Sequence, residues 1–276
     1  MSEPSEEMVD LMGVPYRTLT WESGDETVLF LHGLSGVAEV WIPTIDHLAA
    51  SRRYVAMDLK GHGQSWSPTG GYTAHLMATG PKMVIEQLAR PVHLVGHSLG
   101  ARLAMLIATQ FPRKLRSATI VDIGPEASKT NITATVRGIE SRPERFSDRD
   151  EALAFAFRNR TPTELDERIF LARLEGHADG SFTWRASKAV LIEAVTKQRS
   201  RSYWKEWRQI TIPTMYVHGG ASNEVSKGIA DRMRAENPSI RFERLEGVGH
   251  NIPLIAPEQL AALLESHWST RTEPVT

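Results

Sequence analysis

The stretch P-V-H-L-V-G-H-S-L-G-A-R, residues 91–102, decides the fold of this chain. A short apolar run leads into G-H-S-L-G, and a stretch with helical spacing follows directly after it. A serine between two glycines in this strand-turn-helix context sits in a sharp turn that projects its hydroxyl above the sheet. The first amides of the helix, beginning with Leu99, then point to where an oxyanion would form. An ordinary turn of small residues is the alternative, but the context favours Ser98 as a nucleophile.

Apolar runs and helical stretches alternate along the chain on both sides of this segment. Such alternation predicts an α/β fold, with a mostly parallel sheet and helices on both faces. The opening residues predict an antiparallel hairpin that turns at Gly13. The predicted strands cover Val28–Gly33, Tyr54–Gly61, Pro91–His97, Ser117–Gly124, Thr214–Gly219 and Arg241–Gly247. The predicted helices cover Ala74–Ala89, Leu99–Gln110, Val225–Glu236 and Pro257–Trp268.

One long segment, residues 125–209, breaks this alternation because it contains no strand-like run. Its apolar residues recur at helical spacing instead. A helical insertion between two strands of a sheet predicts a cap, or lid, over a site at the sheet edge. We therefore divide the chain into a core domain, residues 1–124 and 210–276, and a helical cap, residues 125–209.

Composition excludes several classes of function. Lys and Arg number 32 and Asp and Glu 33, so a net charge of -1 indicates neither a nucleic-acid partner nor an anionic membrane surface. The absence of cysteine excludes thiol catalysis and disulfides, and it fits a reducing compartment. The acidic N-terminus lacks a signal sequence and no apolar run spans a membrane, so we expect a cytoplasmic protein. The last residues, 270–276, predict a frayed tail.

Two further glycine-rich loops follow predicted strands. The loop H-G-L-S-G, residues 32–36, lets the backbone turn towards a ligand and offers the Leu34 amide as a second oxyanion donor. The loop D-L-K-G-H-G-Q-S, residues 58–65, carries Asp58 and His62. We expect these two residues to hold the loop behind the active site rather than to take part in catalysis.

These three motifs, with E-G-V-G-H-N-I-P at residues 246–253, resemble the α/β-hydrolase fold family in order and spacing. The match covers nearly the whole chain. The resemblance implies an eight-stranded, mostly parallel sheet, a cap after the sixth strand, and catalytic residues in the order serine, acid, histidine. Of the ten histidines, His250 stands where the family places its base. An imidazole there can reach Ser98 with one nitrogen and a carboxylate with the other.

The carboxylate that orients the histidine is less obvious. In this family it usually follows the seventh strand, but V-H-G-G-A-S-N-E-V-S, residues 217–226, offers only Glu224. Asp122 ends the sixth strand, where a buried lone carboxylate is costly unless paired, and His250 is a natural partner. We therefore expect Asp122 to be the triad acid. Glu224, Glu126 or no acid at all are the alternatives.

This placement resembles a group within the family that carries its acid after the sixth strand. The group includes lactone-opening hydrolases and the amide-cleaving (acetamidomethylene)succinate hydrolases. The resemblance implies a serine hydrolase that cleaves a carboxylic ester, lactone or thioester of a small molecule through an acyl-serine intermediate. An amide hydrolase acting on a carboxylate-bearing substrate is the alternative. A cofactor-free lyase or oxygenase and a non-catalytic receptor are less favoured readings.

Candidate binding residues are harder to assign than the catalytic ones. Arg102, one helical turn after Ser98, could reach a substrate carboxylate or tie the helix to the cap. Several aromatic residues could line the pocket or form cap core: Trp41, Trp184, Tyr203, Trp204 and Trp207. No H-E-x-x-H or G-x-G-x-x-G motif occurs, so we expect neither metal nor cofactor. We expect a small-molecule substrate, no nucleic-acid or membrane partner, and a monomer or homodimer.

Overall fold

A central eight-stranded sheet organises the molecule, of which the computed structural model describes residues 1–88, 90–127 and 129–269. In chain order the strands of this sheet are β1 Ser5–Asp10, β2 Pro15–Trp21, β3 Thr27–Leu31, β4 Arg53–Met57, β5 Val92–His97, β6 Leu115–Val121, β10 Thr214–Gly219 and β11 Arg241–Leu245. They lie in the order β1-β2-β4-β3-β5-β6-β10-β11. The hairpin β1–β2 and the pair β2–β4 are antiparallel, and the other pairs are parallel. The predicted α/β class is confirmed.

Helices cover both faces of the sheet because its central strands are apolar on both sides. Residues 28–31 and 92–97, for example, are buried along their whole length. One face packs against helices within residues 74–87, 99–110 and 227–236, and the other against helices at residues 42–45 and 257–269. Within the described residues, no helix combines the length and apolar character needed to cross a membrane. The helices are α1 Ile42–Ile45, α2 Ala74–Met77, α3 Thr79–Gln87, α4 Leu99–Gln110, α5 Lys129–Glu140, α6 Arg149–Ala156, α7 Glu164–Leu171, α8 Lys188–Arg199, α9 Trp204–Gln209, α10 Lys227–Glu236, α11 Ile252–Ile255 and α12 Pro257–Ser269.

Two predicted helices differ from the observed ones in detail. The helix expected from Ala74 is split at Ala78 into α2 and α3, since Pro81 has no N–H to donate to the preceding turn. Its predicted end, Ala89, lies outside the described residues, as does the predicted tail 270–276. Helix α10 begins after Ser226, whose hydroxyl accepts a hydrogen bond from the Ile229 amide as its N-cap.

The segment 125–209, which we call the cap, lies between β6 and β10 and, contrary to the expectation from the sequence, it is not wholly helical. Besides α5–α9 it contains a three-stranded antiparallel sheet of β7 Arg145–Phe146, β8 Leu174–Gly176 and β9 Phe182–Trp184. Strands of two or three residues are too short to show an alternating pattern in sequence. Phe146, Phe170 and Trp184 pack together between this sheet and the cap helices.

Candidate active site

The turn between β5 and α4 holds Ser98 in a strained conformation. Its backbone has φ +53° and ψ -112°, a region that residues other than glycine rarely occupy. A Cβ atom at Gly96 would lie 2.4 Å from the Gly100 carbonyl oxygen, and one at Gly100 would lie 2.3 Å from that of Leu31. Only glycine fits at either position, so the turn brings helix and strand close together below the Ser98 hydroxyl.

Ser98, His250 and Asp122 lie together in one hydrogen-bonded chain. The Ser98 Oγ is 3.0 Å from His250 Nε2, and His250 Nδ1 is 2.7 Å from Asp122 Oδ2. Because the carboxylate accepts the Nδ1 proton, Nε2 is left to accept the serine hydroxyl proton. Asp122 is fully buried, whereas the His250 side chain is partly exposed. The three residues thus have the geometry of a nucleophile, a base and an orienting acid.

The backbone around Asp122 fixes this carboxylate. Asp122 has φ +52°, and its amide donates to the Val217 carbonyl over 2.9 Å. Its second oxygen, Oδ1, accepts a hydrogen bond from the Gly219 amide over 2.8 Å. The carboxylate therefore has two charge-assisted hydrogen bonds, one to His250 and one to the backbone of β10. The seventh strand of the central sheet supplies the support for the acid rather than the acid itself.

The other candidate acids have different partners. The Glu224 carboxylate forms an ion pair with Arg199 at 3.0 Å. Glu126 accepts a hydrogen bond from the indole nitrogen of Trp204 over 2.7 Å. Among the described residues, Asp122 is the carboxylate that hydrogen-bonds to His250.

His97, the residue before the serine, contacts the histidine loop. Its Nε2–H donates to the His250 carbonyl oxygen over 2.8 Å, and the two ring centroids are 4.8 Å apart. Burial lowers the pKa of His97 to about 3, so its ring is neutral at physiological pH. From the sequence, the base was assigned to His250, and this contact of His97 with the His250 loop was not predicted.

The backbone amides of Leu34 and Leu99 are the two candidate oxyanion donors. Within the described residues, the N–H groups of Leu34 and Leu99 donate no hydrogen bond, and both residues line a small pocket beside Ser98. Gly33 permits this arrangement, since a Cβ atom there would lie 3.2 Å from Ser98 Cβ. Ser35, which directly follows Leu34, has φ +61°. Both predicted donors therefore belong to residues beside the serine, and neither amide has a hydrogen-bond partner within the described residues.

The small pocket has a volume of about 10 Å³, which is room for one water molecule. Arg102 lines it and is 2% exposed, and its Nε and Nη2 have no hydrogen-bond partner among the described residues. The guanidinium carbon lies 5.7 Å from the ring centroid of Tyr203 in the cap. Burial and the nearby Arg199 lower the pKa of Arg102 to about 10. Arg102 thus borders the nucleophile pocket and packs against the cap.

A larger cavity of about 530 Å³ lies between the core and the cap. It shares Leu34 with the small pocket, and His97 also lines it. The cap contributes an aromatic and basic wall that sequence reasoning largely missed, with Trp184 the exception. Residues far apart in the chain meet there, so no local pattern could reveal it. The wall consists of Arg142, Phe155, Phe157, Arg160, Phe170, Arg173 and Trp184.

Four of the five aromatic candidates do not line these cavities: Trp41, Tyr203, Trp204 and Trp207. Trp41 is fully buried in the core below the sheet, with its ring centroid 4.9 Å from that of Phe30. Trp204 donates to Glu126, and the Arg232 guanidinium lies 3.9 Å from its ring centroid. Both are packing residues because each large ring fills space between a helix and the core.

Asp58 and His62 have the loop-holding contacts expected of them. Asp58 accepts hydrogen bonds from the amides of Ala38 at 2.7 Å and Gln64 at 2.9 Å, and it lies 3.3 Å from Arg17. His62 Nδ1–H donates to the Lys60 carbonyl oxygen over 3.0 Å within the loop, and burial lowers the pKa of His62 to about 3. In the part of the chain that the structure describes, no group of three or more histidine or acidic side chains is arranged to hold a metal ion.

Sequence comparison places the chain among hydrolases. The model of the alpha/beta hydrolase family matches residues 28–263. The chain is 28% identical over 234 residues to a 2-(acetamidomethylene)succinate hydrolase of Mesorhizobium japonicum, covering 84% of each protein. It is 26% identical over 256 residues to an sn-1-specific diacylglycerol lipase of Mus musculus, covering 89% of this chain and 82% of the lipase.

Solved structures agree with this placement at the level of the fold. The crystal structure of E-2-(acetamidomethylene)succinate hydrolase superposes with a TM-score of 0.88 at 24% identity, covering 97% of this chain and 100% of that one. The thioesterase domain from the curacin biosynthetic pathway gives a TM-score of 0.80 at 24% identity, covering 95% and 99%. The chain therefore belongs to the α/β-hydrolase family and is a hydrolase.

Proposed function

We propose that this hydrolase cleaves a carboxylic ester, lactone or thioester of a small molecule through an acyl-enzyme on Ser98. The observation that carries the proposal is the continuous chain from Ser98 Oγ through His250 to the buried Asp122 carboxylate. A serine on a strained turn, with a base in hydrogen-bond contact, is the arrangement that nucleophilic acyl transfer requires.

In the first half-reaction, Ser98 Oγ bonds to the acyl carbon while its proton passes to His250 Nε2. The carbonyl oxygen becomes an oxyanion, which the free amides of Leu34 and Leu99 stabilise. His250 then gives its proton to the leaving group, whose bond to the acyl carbon breaks. Asp122 stabilises the imidazolium that forms in between and keeps its Nδ1 proton in place.

In the second half-reaction, a water molecule takes the place of the leaving group. His250 Nε2 accepts one proton of this water as its oxygen bonds to the acyl carbon. The Ser98 oxygen leaves and recovers the proton from His250, which releases a carboxylic acid. The serine nucleophile argues against halide or epoxide chemistry, for which this family uses an aspartate at that position.

An amide substrate that carries a carboxylate is the second candidate. Similarity to a 2-(acetamidomethylene)succinate hydrolase over 84% of each protein favours it. Arg102 supports it as well, because its buried guanidinium borders the nucleophile pocket with two nitrogens that have no partner in the described part of the chain. Parallel assays on an acetate ester and on the acetamide in which nitrogen replaces the ester oxygen would distinguish the two bond types.

Fluorophosphonate labelling and aryl-ester turnover test the serine mechanism. We expect the parent enzyme to be labelled on Ser98 and to hydrolyse short aryl esters, and Ser98→Ala to do neither. A cofactor-free lyase or oxygenase would use His250 without an acyl-serine, so ester turnover that survives Ser98→Ala would reject the proposal. Circular dichroism of both proteins checks that the variant is folded.

A further inference from the structure

The cap wall of the 530 Å³ cavity carries an excess of positive charge. Three arginines, Arg142, Arg160 and Arg173, line it together with one acid, Asp166. Arg160 engages both oxygens of Asp166, at 2.6 Å and 2.7 Å. Arg142 and Arg173 form no ion pair among the described residues, so two guanidinium groups face the cavity without a carboxylate.

The neighbours of these two arginines leave part of their hydrogen-bonding capacity unused. Arg142 donates from Nη2 to the Ser35 hydroxyl over 2.7 Å, and its guanidinium carbon lies 4.6 Å from the ring centroid of Trp184. The Nε of Arg173 is sealed from solvent and has no partner among the described residues. Glu39 also influences Arg173, but the oxygens of Glu39 bind Arg17 at 2.7 Å and 3.2 Å.

The positive charges of Arg142 and Arg173 also repel each other. Burial and then the charge of Arg142 lower the pKa of Arg173 to about 10, and burial lowers the pKa of Arg142. Both groups remain cationic at neutral pH. An anion that accepts hydrogen bonds from both would relieve the mutual repulsion and use the unpaired N–H groups.

The sizes of the two spaces decide which part of the substrate carries the anion. The pocket beside Ser98 is about 10 Å³, so the acyl group it accepts is small. Of the two larger spaces near the site, the 280 Å³ cavity beside His250 carries Glu224 and no arginine among its described lining residues, so an anionic substrate would place its bulk in the 530 Å³ cavity. The leaving group, not the acyl group, is therefore the part that meets Arg142 and Arg173.

We propose that Arg142 and Arg173 form a subsite for a carboxylate on the leaving group of a substrate whose acyl group is as small as formyl or acetyl. This inference rests on the proposed acyl transfer by Ser98. Arg142 has a second consequence, because its bond to Ser35 ties the subsite to the loop that presents the Leu34 amide. Carboxylate binding at Arg142 would hold the oxyanion donor in place.

The test compares 4-acetoxybenzoate with its neutral isostere 4-acetoxybenzamide, which differ only in the charge on the leaving group. We expect the parent to favour the benzoate in kcat/KM by about 10- to 100-fold, as one charged hydrogen-bonded contact provides. Arg173→Gln should abolish this preference and Arg173→Lys should retain part of it. Arg142→Gln should reduce the preference and also lower kcat, since it releases the loop at Ser35.

The control variant is Arg149→Gln, an exposed arginine of the cap paired with Glu167, which should keep the parent preference. A second substrate pair, phenyl hemisuccinate and phenyl succinamate, places the charge on the acyl group instead. Preference for the charged member of this pair alone would overturn the inference. Equal kcat/KM of the parent for 4-acetoxybenzoate and 4-acetoxybenzamide would overturn it too. So would an unchanged preference for the benzoate in folded Arg173→Gln and Arg142→Gln.

Calorimetry separates failure of the subsite from failure of the mechanism. The product 4-hydroxybenzoate should bind Ser98→Ala and lose about 10-fold or more in affinity when Arg173→Gln is added. If no ester is hydrolysed but this loss is measured, the acyl-transfer proposal fails while the subsite stands. If esters are hydrolysed through Ser98 but binding does not change, the subsite is rejected.

Discussion

Oδ2 of Asp122 accepts a hydrogen bond from Nδ1 of His250 over 2.7 Å, although Asp122 directly follows the sixth strand of the central sheet. The loop after the seventh strand, where the family usually carries this acid, instead contributes the Gly219 amide that binds the other carboxylate oxygen. The carboxylate that binds the histidine is therefore supplied by the residue after the sixth strand, next to the strand that usually carries it. Parallel strands end at the same edge, so the change moves the carboxylate only to the adjacent strand.

Asp122→Asn tests this assignment against Glu224→Gln. An amide at position 122 can favour the wrong tautomer of His250 and cannot stabilise the imidazolium, so we expect kcat to fall by ~10⁴-fold. Glu224 pairs with Arg199, and its change should lower kcat by less than about tenfold. Steady-state kinetics on an aryl-ester panel provide the measurement. A hundredfold loss for Glu224→Gln beside a near-parental Asp122→Asn would reverse the assignment.

Gly33→Ala probes the loop that carries the oxyanion donor. The added Cβ would lie 3.0 Å from His97 Nδ1 and 3.2 Å from Ser98 Cβ, so the loop must shift and carry the Leu34 amide with it. We expect kcat to fall by about 10²-fold, the cost of losing one oxyanion donor. Gly138→Ala in α5 meets no atom within 4 Å and is the matched control. Parental kcat in Gly33→Ala would show that Leu34 is not a donor.

Asp58→Asn should affect stability rather than catalysis. The buried carboxylate accepts two amide hydrogen bonds and lies beside Arg17, so its neutral isostere loses charge-assisted contacts. We expect the free energy of unfolding to fall by about 3 kcal/mol in urea titrations. The exposed Asp46→Asn should have little effect. A hundredfold drop in kcat of folded Asp58→Asn would instead assign this residue a catalytic role.

Four buried histidines predict how stability depends on pH. Burial lowers the pKa of His32, His62, His93 and His97 to about 3, below the 6.5 of an unfolded chain. As the pH falls below 6.5, these histidines take up protons in the unfolded state but not in the folded state. Their contribution to the free energy of unfolding is therefore fully present above pH 6.5 and is lost as the pH drops towards 3. Each histidine adds at most about 1.4 kcal/mol per pH unit to this slope.

His93→Gln checks this dependence away from the active site, because His93 lies beside Ser117 and Trp268. Urea titrations between pH 5 and pH 7.5 should give a shallower decline for this variant than for the parent. His47→Gln, at an exposed site, controls for the loss of a histidine as such. An identical decline in His93→Gln and the parent would contradict a neutral, buried His93.

Much of the core could be predicted because its signals are local. The central buried strands are rich in apolar residues, and the serine turn depends on glycines two residues away on either side. Asp122 followed from the cost of burying an unpaired carboxylate. His97 was missed as a contact of the His250 loop, since that contact joins residues 153 positions apart.

The short strands of the cap and its cavity wall could not be predicted from the sequence, because they depend on contacts between distant residues. The cap strands of two and three residues make a sheet only through pairing with each other, which leaves no periodic pattern in the chain. The proposed anion subsite joins Arg142 of the segment after α5 with Arg173 after α7. Trp41 was a candidate for the pocket, but it packs in the core, because a large aromatic residue near a predicted pocket loop can equally well fill core space.

The most direct test of the account is the identity of the acylated residue. Parent enzyme is mixed with 4-nitrophenyl acetate, quenched in acid before the steady state, digested and mapped by mass spectrometry. We expect a burst of one 4-nitrophenolate per enzyme and an acetyl group on Ser98, with neither burst nor acetylation in Ser98→Ala. Acetyl groups found elsewhere, or steady turnover by Ser98→Ala, would contradict the account.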